Sequence, residues 1–222
     1  MRQIHELLEQ KEPAWPLVQE WIGEATNKVE VLPPPADAAR AEALVATQVT
    51  TRSPMGAIIY ETGGLLIDHG WVRVLGSGHP RLPRSLPEWN QGRTSLGGPN
   101  LPRYLLIADD MLGGFFALNG GQFEGKTGEL WYAAPDTLQW EGLELTYSDF
   151  LYWCCLSDLA KFYDGRRWPG WEDEVSRLQG DRGFSIVPPL WAEGPAIGEC
   201  DRRAVPLAEL YGLYVEEQST QE

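Results

Sequence analysis

Residues 104–118 read YLLIADDMLGGFFAL, and the chain then passes through a glycine-rich stretch to ELWYA at residues 129–133. These residues form short apolar runs at 104–108, 114–118 and 129–133, with only a turn or a loop between one run and the next. Parallel strands need crossover connections of about a dozen residues or more, whereas antiparallel strands can be joined by tight turns. The spacing therefore predicts an antiparallel meander.

The sequence on both sides of the meander has helical periodicity. Trp15, Val18 and Ile22 recur at helical spacing after Pro13, which suits a first helical turn. Thr146 is a plausible N-cap for the aromatic segment that follows the meander. The predicted helices cover residues 14–26, 36–46 and 147–163, with a shorter helix near 171–178.

Further strands are predicted before and after these elements. Residues 57–60 and 65–67 are apolar and flank a Thr-Gly-Gly sequence, which predicts a hairpin, and residues 71–75 predict another strand. Residues 184–187 predict a late strand. The order of helices, sheet and helices is typical of an α+β fold rather than an alternating α/β fold. We expect one domain over residues 1–222, with a helical N-terminal part at 1–50, a sheet core at 55–145 and a helical C-terminal part at 146–222.

The composition excludes several classes of function. The chain has 222 residues and a formal net charge of −14, which disfavours nucleic acid and anionic lipid as partners. No apolar run approaches the ~20 residues that a membrane span needs. The three cysteines make a poor disulfide framework, and the N-terminus has no apolar core typical of a signal peptide. We therefore expect a cytoplasmic protein.

The charges are divided between two neighbouring segments. Residues 71–103 contain five arginines and one acid, whereas residues 104–149 contain eight acids and one basic residue, Lys126. One interpretation is that both segments form ordinary solvated loops and strand edges. The alternative is that the acidic segment forms a face that suits a basic partner.

The segment at residues 120–127, GGQFEGKT, matches the phosphate-binding pattern G-x-x-x-x-G-K-[ST]. That pattern works when the loop leads into a helix whose N-terminal N–H groups hold the phosphates. Here the following residues, 129–133, are strand-like and the surrounding segment is acidic. We therefore predict a hairpin loop, no bound nucleotide and no cofactor.

The adjacent residues Asp109 and Asp110 follow an apolar strand, where a carboxylate can bind Mg²⁺ or act as a general base. The more common role of such a pair is to close a turn through hydrogen bonds to its own backbone. The candidate catalytic partner is His69 or an arginine of residues 73–103. Three histidines in the chain are too few to indicate a metal site.

Several longer motifs resemble a known bacterial family. They are DHGW at 68–71, GSGHP at 76–80, ADDMLGGFFALNGG at 108–121, WYAAPDTLQW at 131–140 and RWPGWE at 167–172. The chain resembles, over nearly its whole length, the family catalogued as domain of unknown function 2625. No activity and no catalytic residues are established for that family, so the resemblance assigns none to this chain. The pattern of strands and turns is also similar to the SUKH superfamily. That second resemblance implies an immunity protein or an adaptor-like binding module.

These observations support a protein–protein binding module that uses an acidic, aromatic-edged sheet surface. The expected partner is a basic protein, for example a toxin. The alternative is an enzyme of unrecognised class that uses Asp109 or Asp110 with His69. The candidate contact residues of the binding module are Asp109, Asp110, Glu129 and Asp136, with Trp131 and Trp140 as aromatic anchors.

Overall fold

A seven-stranded antiparallel sheet forms the centre of the molecule, and each strand pairs with the next strand in the chain. The computed structural model describes the backbone of residues 1–221 and the side chains of residues 1–216. The strands are β1 (Val29–Leu32), β2 (Gly64–Ile67), β3 (Val72–Leu75), β4 (Tyr104–Asp110), β5 (Phe115–Asn119), β6 (Leu130–Ala134) and β7 (Gln139–Gly142). The predicted α+β class and the antiparallel meander are confirmed.

Helices precede, interrupt and follow the sheet. They are α1 (Ile4–Leu7), α2 (Trp15–Gly23), α3 (Asp37–Thr47), α4 (Pro54–Glu61), α5 (Leu86–Asn90), α6 (Tyr147–Leu156), α7 (Leu159–Phe162), α8 (Trp171–Ser176) and α9 (Leu207–Gln221). A separate two-stranded sheet pairs β8 (Arg182–Val187) with β9 (Asp201–Pro206). Across the described residues, no helix has the length and apolar character that a membrane crossing requires.

The predicted strand at residues 57–60 is wrong, because these residues belong to helix α4. Pro54 occupies the first turn, and the Ser53 side chain accepts a hydrogen bond from the Gly56 N–H as an N-cap. Residues 57–59 of this run are fully buried and Tyr60 is partly buried, and a short run of this kind does not distinguish a buried helix from a buried strand. The partner of β2 is instead β1, with Leu32 opposite Gly64.

The C-terminal part also differs from the prediction. The late strand predicted at 184–187 exists, but it is part of β8, which pairs with β9 outside the main sheet. The helix predicted at 147–163 is two helices, α6 and α7. Asp158 separates them because its carboxylate caps the second helix through the Lys161 N–H.

Adjacent residues of a strand project to opposite faces of the sheet, and both faces of this sheet are covered. Phe115 contacts Tyr211 and Tyr214 of α9 on one face, here called the α9 face. Phe116 contacts Phe150 of α6 on the other face, here called the α6 face. The β4–β5 and β6–β7 turns lie at one end of the sheet, the turn end, and the glycine-rich β5–β6 loop lies at the other end.

Candidate functional site

Asp109 lies on the α9 face and is fully buried. It is paired across the sheet with Arg73 of β3, whose Nη2 lies 2.6 Å from Asp109 Oδ1. Arg84, from the loop after β3, places its Nη1 2.6 Å from Asp109 Oδ2. One carboxylate therefore holds two guanidinium groups in the interior.

The backbone completes this buried cluster. Arg84 donates from Nε and Nη2 to the Gly180 carbonyl at 3.0 and 2.8 Å, and Arg73 donates to the Arg182 carbonyl. Burial lowers the pKa of Arg73, and the charge of Asp109 opposes that shift. The prediction that Asp109 contacts a partner is wrong, because arginines of the preceding basic segment enclose it within the chain.

Asp110 points to the α6 face and is also fully buried. Its Oδ1 accepts hydrogen bonds from the backbone N–H groups of Leu112 and Gly114, both at 2.9 Å. Its Oδ2 accepts from the hydroxyl groups of Tyr132 at 2.7 Å and Tyr163 at 3.2 Å. Burial raises the pKa of Asp110, and the hydrogen bonds from Tyr132, Gly114 and Leu112 oppose the rise. Asp110 closes the β4–β5 turn, so its predicted role as a surface contact is wrong.

The described contacts of His69 include neither Asp109 nor Asp110. Its Nδ1 is 3.5 Å from Lys28 Nζ, and its ring packs edge-on against Trp171 with centroids 5.8 Å apart. Both aspartate carboxylates are closed off by protein groups, so the open Asp–His arrangement of the enzyme hypothesis is not formed. Within the part of the chain that has described side chains, no group of three or more potential ligands could hold a metal ion.

Two of the predicted contact residues, Glu129 and Trp131, lie towards the loop end of the sheet. Trp140 follows the β6–β7 turn, but its ring packs on Phe123 of the glycine-rich loop. Trp131 stacks on Phe123 with ring centroids 4.6 Å apart, and the Trp140 ring lies 5.0 Å from Phe123. Glu129 accepts a hydrogen bond from the Lys126 N–H at 2.9 Å. The glycine-rich loop connects β5 to β6, as predicted for a hairpin. These aromatic side chains hold the loop against the sheet.

The remaining predicted contact, Asp136, lies at the turn end, where two cavities adjoin. The first, here called the groove, has a volume of about 210 Å³ and is bounded by β8, α9 and the turns of the main sheet. Val187 and Trp191, which line it, are 57% and 47% exposed. Its other apolar lining residues include Leu138, Phe184, Ile186, Leu190, Leu210 and Leu213.

The second cavity, here called the cleft, has a volume of about 180 Å³. Tyr132, Phe162 and Tyr163 supply aromatic lining. Its polar lining residues are Asp136, Glu141 and Arg166, and Arg166 forms an ion pair with Asp136. Leu112 and Pro135 line both the cleft and the groove, so the two cavities form one composite site.

Sequence reasoning identified only Asp136 of this composite site. The sequence does contain a hint of Trp191, because this tryptophan follows Pro188 and Pro189 and lies outside any predicted helix or strand. The role of Arg166 could not be read from the sequence, because its partner Asp136 is 30 residues away and meets it only through tertiary packing.

A larger trough of about 420 Å³ lies between α3 and α5. The small side chains of Ala39, Ala43 and Ala46 line it together with Glu42 and Glu88. The Glu88 carboxylate is already bonded to the Ser85 N–H and hydroxyl as a helix cap. The composite site is the stronger candidate, because the large apolar side chains of Val187 and Trp191 are about half exposed there, whereas small alanine side chains line much of the trough.

Comparison with known proteins places the chain in a family. It is 44% identical over 220 residues to the putative uncharacterized protein YbfG of Escherichia coli K12, covering 99% of each chain. It is 42% identical over 190 residues to an uncharacterized protein of Haemophilus influenzae, covering 86% of this chain and 83% of the relative. No solved structure matches. The profile of DUF2625, a family of proteins of unknown function, matches residues 4–210, and the chain belongs to that family.

Proposed function

We propose that this chain is a protein-binding module and that its partner contacts the composite site of groove and cleft. The observation that carries the proposal is the exposure of Val187 and Trp191, at 57% and 47%, beside an apolar groove. Exposed apolar patches mark interaction surfaces, and tryptophan is enriched among the residues that dominate binding energy.

The charge of the chain supports a basic partner. Of the eight acids in residues 104–149, Asp109 and Asp110 are buried, and the other six are at least partly exposed. Lys126 is the one basic residue of that segment. Complementary charge steers association and suppresses wrong partners. A cytoplasmic immunity role, in which the basic partner is a toxin, is the specific form that the resemblance to the SUKH superfamily favours.

Affinity capture from host lysate with quantitative mass spectrometry tests this proposal. Trp191→Ser removes the groove aromatic, and a residue of this kind at a binding hot spot contributes about 2 kcal/mol or more, equivalent to about 30-fold in affinity. The matched control is Tyr152→Ser, because Tyr152 is 49% exposed but lies on α6, away from the groove.

We expect wild type and Tyr152→Ser to capture a common protein that Trp191→Ser does not capture. Circular dichroism of all three proteins verifies that each is folded. Equal capture by wild type and Trp191→Ser would show that the groove does not bind the partner.

A further inference from the structure

We propose that the cleft binds the cationic head of a lysine or arginine side chain, supplied by the partner segment that occupies the groove. This inference rests on the proposed function and specifies the chemistry of the partner. It rests on the composition of the cleft, on its charge and on its continuity with the groove.

The charges that line the cleft leave one carboxylate without a counterion. Asp136 is paired with Arg166, and both side chains are about one-third exposed. Glu141 is exposed, and its described contact is the Thr137 hydroxyl at 3.5 Å, with no cationic partner among residues 1–216. The deeper aspartates are not open to a ligand: Asp109 is paired with the two buried arginines, and hydrogen bonds from hydroxyl and backbone N–H groups occupy the Asp110 carboxylate. A cation entering the cleft therefore meets an unpaired acceptor.

The aromatic lining suits a cation that carries an apolar stem. The Phe162 ring lies 5.5 Å from Tyr132 and 4.8 Å from Tyr163, and Phe162 is 38% exposed. Both tyrosine hydroxyl groups donate to Asp110 beneath the cleft, so they are not free to bind a ligand. Phe162 is the exposed ring of this lining, because Tyr132 and Tyr163 are 7% and 3% exposed. The Phe162 ring can contact a methylene chain and attract a positive charge. A small neutral polar ligand would gain little from this lining.

The chain provides an internal precedent for the recognition of a guanidinium. Arg166 follows α7 and reaches Asp136 of the β6–β7 turn, so a carboxylate of this cleft already holds an arginine side chain. Glu141 offers the second carboxylate to an incoming cation. A long basic side chain can lay its stem along apolar surface while its head reaches that carboxylate.

The position of the cleft links it to the groove. Leu112 and Pro135 line both cavities, so an apolar residue in the groove and a basic residue in the cleft can belong to one short segment. The partner segment thus combines an aromatic or aliphatic residue with a nearby lysine or arginine.

Chemical-shift titration of the full ¹⁵N-labelled chain tests the cleft independently of any partner. The probes are N-acetyl-lysine methylamide, N-acetyl-arginine methylamide and the neutral N-acetyl-norleucine methylamide. We expect the two cationic probes to give saturable shifts at residues 132–141 and 162–166, with dissociation constants near the ~1 mM typical of an interaction of about 4 kcal/mol. The norleucine probe should bind about threefold to fivefold more weakly, which is the upper part of the range for one exposed ion pair.

Variants of the two neighbouring glutamates identify the acceptor. Glu141→Gln should weaken the cationic probes by about threefold to fivefold. Glu144→Gln is the matched control, because Glu144 is exposed close to β7 but does not line the cleft. Equal binding of norleucine, shifts elsewhere in the chain, or no effect of Glu141→Gln would each overturn the assignment.

The groove variant separates this inference from the proposed function. Trp191→Ser should abolish partner capture and leave the probe titrations unchanged. Partner capture that depends on Trp191 but is accompanied by no probe binding would refute only the cation site. Probe binding without any Trp191-dependent capture would refute the proposal that a partner occupies the groove. It would also overturn the assignment of the cation to a partner side chain.

Discussion

Replacement of Asp109 by Asn should destabilise the fold severely. Arg73 and Arg84 are 1% and 6% exposed, so water cannot replace the carboxylate that lies 2.6 Å from each guanidinium. Asn keeps the shape of Asp but removes the charge, and its amide group offers one oxygen instead of two. Breaking a buried ion pair by removing one partner costs about 3–5 kcal/mol, because the other charge remains buried.

Urea unfolding followed by tryptophan fluorescence measures this loss. For a chain of this size, about 3–5 kcal/mol corresponds to a melting temperature lower by about 6–20 °C. The slope of the unfolding free energy against urea concentration should stay the same. An unchanged slope would confirm that the substitution alters stability and leaves the compactness of the folded and unfolded states unchanged. The internal control is Asp136→Asn, which breaks another Asp–Arg pair whose side chains are about one-third exposed. That exposed pair should contribute at most about 1 kcal/mol.

A double-mutant cycle shows whether the loss comes from the buried cluster. Arg84→Met removes one of the two guanidinium groups, so the loss caused by Asp109→Asn should shrink in that background by about 1–3 kcal/mol. The reasoning is refuted if Asp109→Asn costs no more than Asp136→Asn, or if the two buried substitutions are additive.

Further predictions concern the turn and the thiols. Because burial raises the pKa of Asp110 in the folded state, lowering the pH towards about 4 should stabilise wild type relative to Asp110→Asn in paired urea titrations; a constant difference would contradict this. Gly114→Ala should cost about 1–3 kcal/mol, because its Cβ would overlap the Asp110 carboxylate and the Tyr132 hydroxyl, whereas Gly23→Ala, where no atom lies within 4 Å, should cost far less. Burial raises the pKa of Cys155 to about 11, so iodoacetamide at pH 8 should label Cys200 first, as peptide mass mapping would reveal.

The meander was predictable because its connections are local. Strands β4, β5 and β6 follow one another with turns whose residues are visible in the sequence, and Asp110 performs the turn role expected of such a residue. Strand β1 was not predicted, since Val29–Leu32 is short and its partner β2 lies about thirty residues away. Residues 57–60 were predicted as a strand because periodicity cannot assign a short apolar run that is almost entirely buried.

The candidate site was predictable only in part. The basic segment supplies both arginines that pair with Asp109, yet only the register of β3 against β4 selects Arg73 as one of those partners. The groove forms where β8 and α9 pack on the turn end, and neither contact has a local signature. Asp136 was identified because it belongs to the acidic segment, whereas Trp191 and Arg166 reach the site from distant parts of the chain.

The Asp109–Asp110 dipeptide has a consequence for how the strands align during folding. The two carboxylates need opposite surroundings, because one accepts from guanidinium groups and the other from hydroxyl and backbone N–H groups. A shift of β4 by one residue would exchange the faces of every side chain on the strand. Ala108 would then face the two arginines, and Asp109 would replace Asp110 at the turn. The dipeptide therefore favours the native strand register. A misaligned sheet would bury an uncompensated charge as well as misplace its apolar side chains.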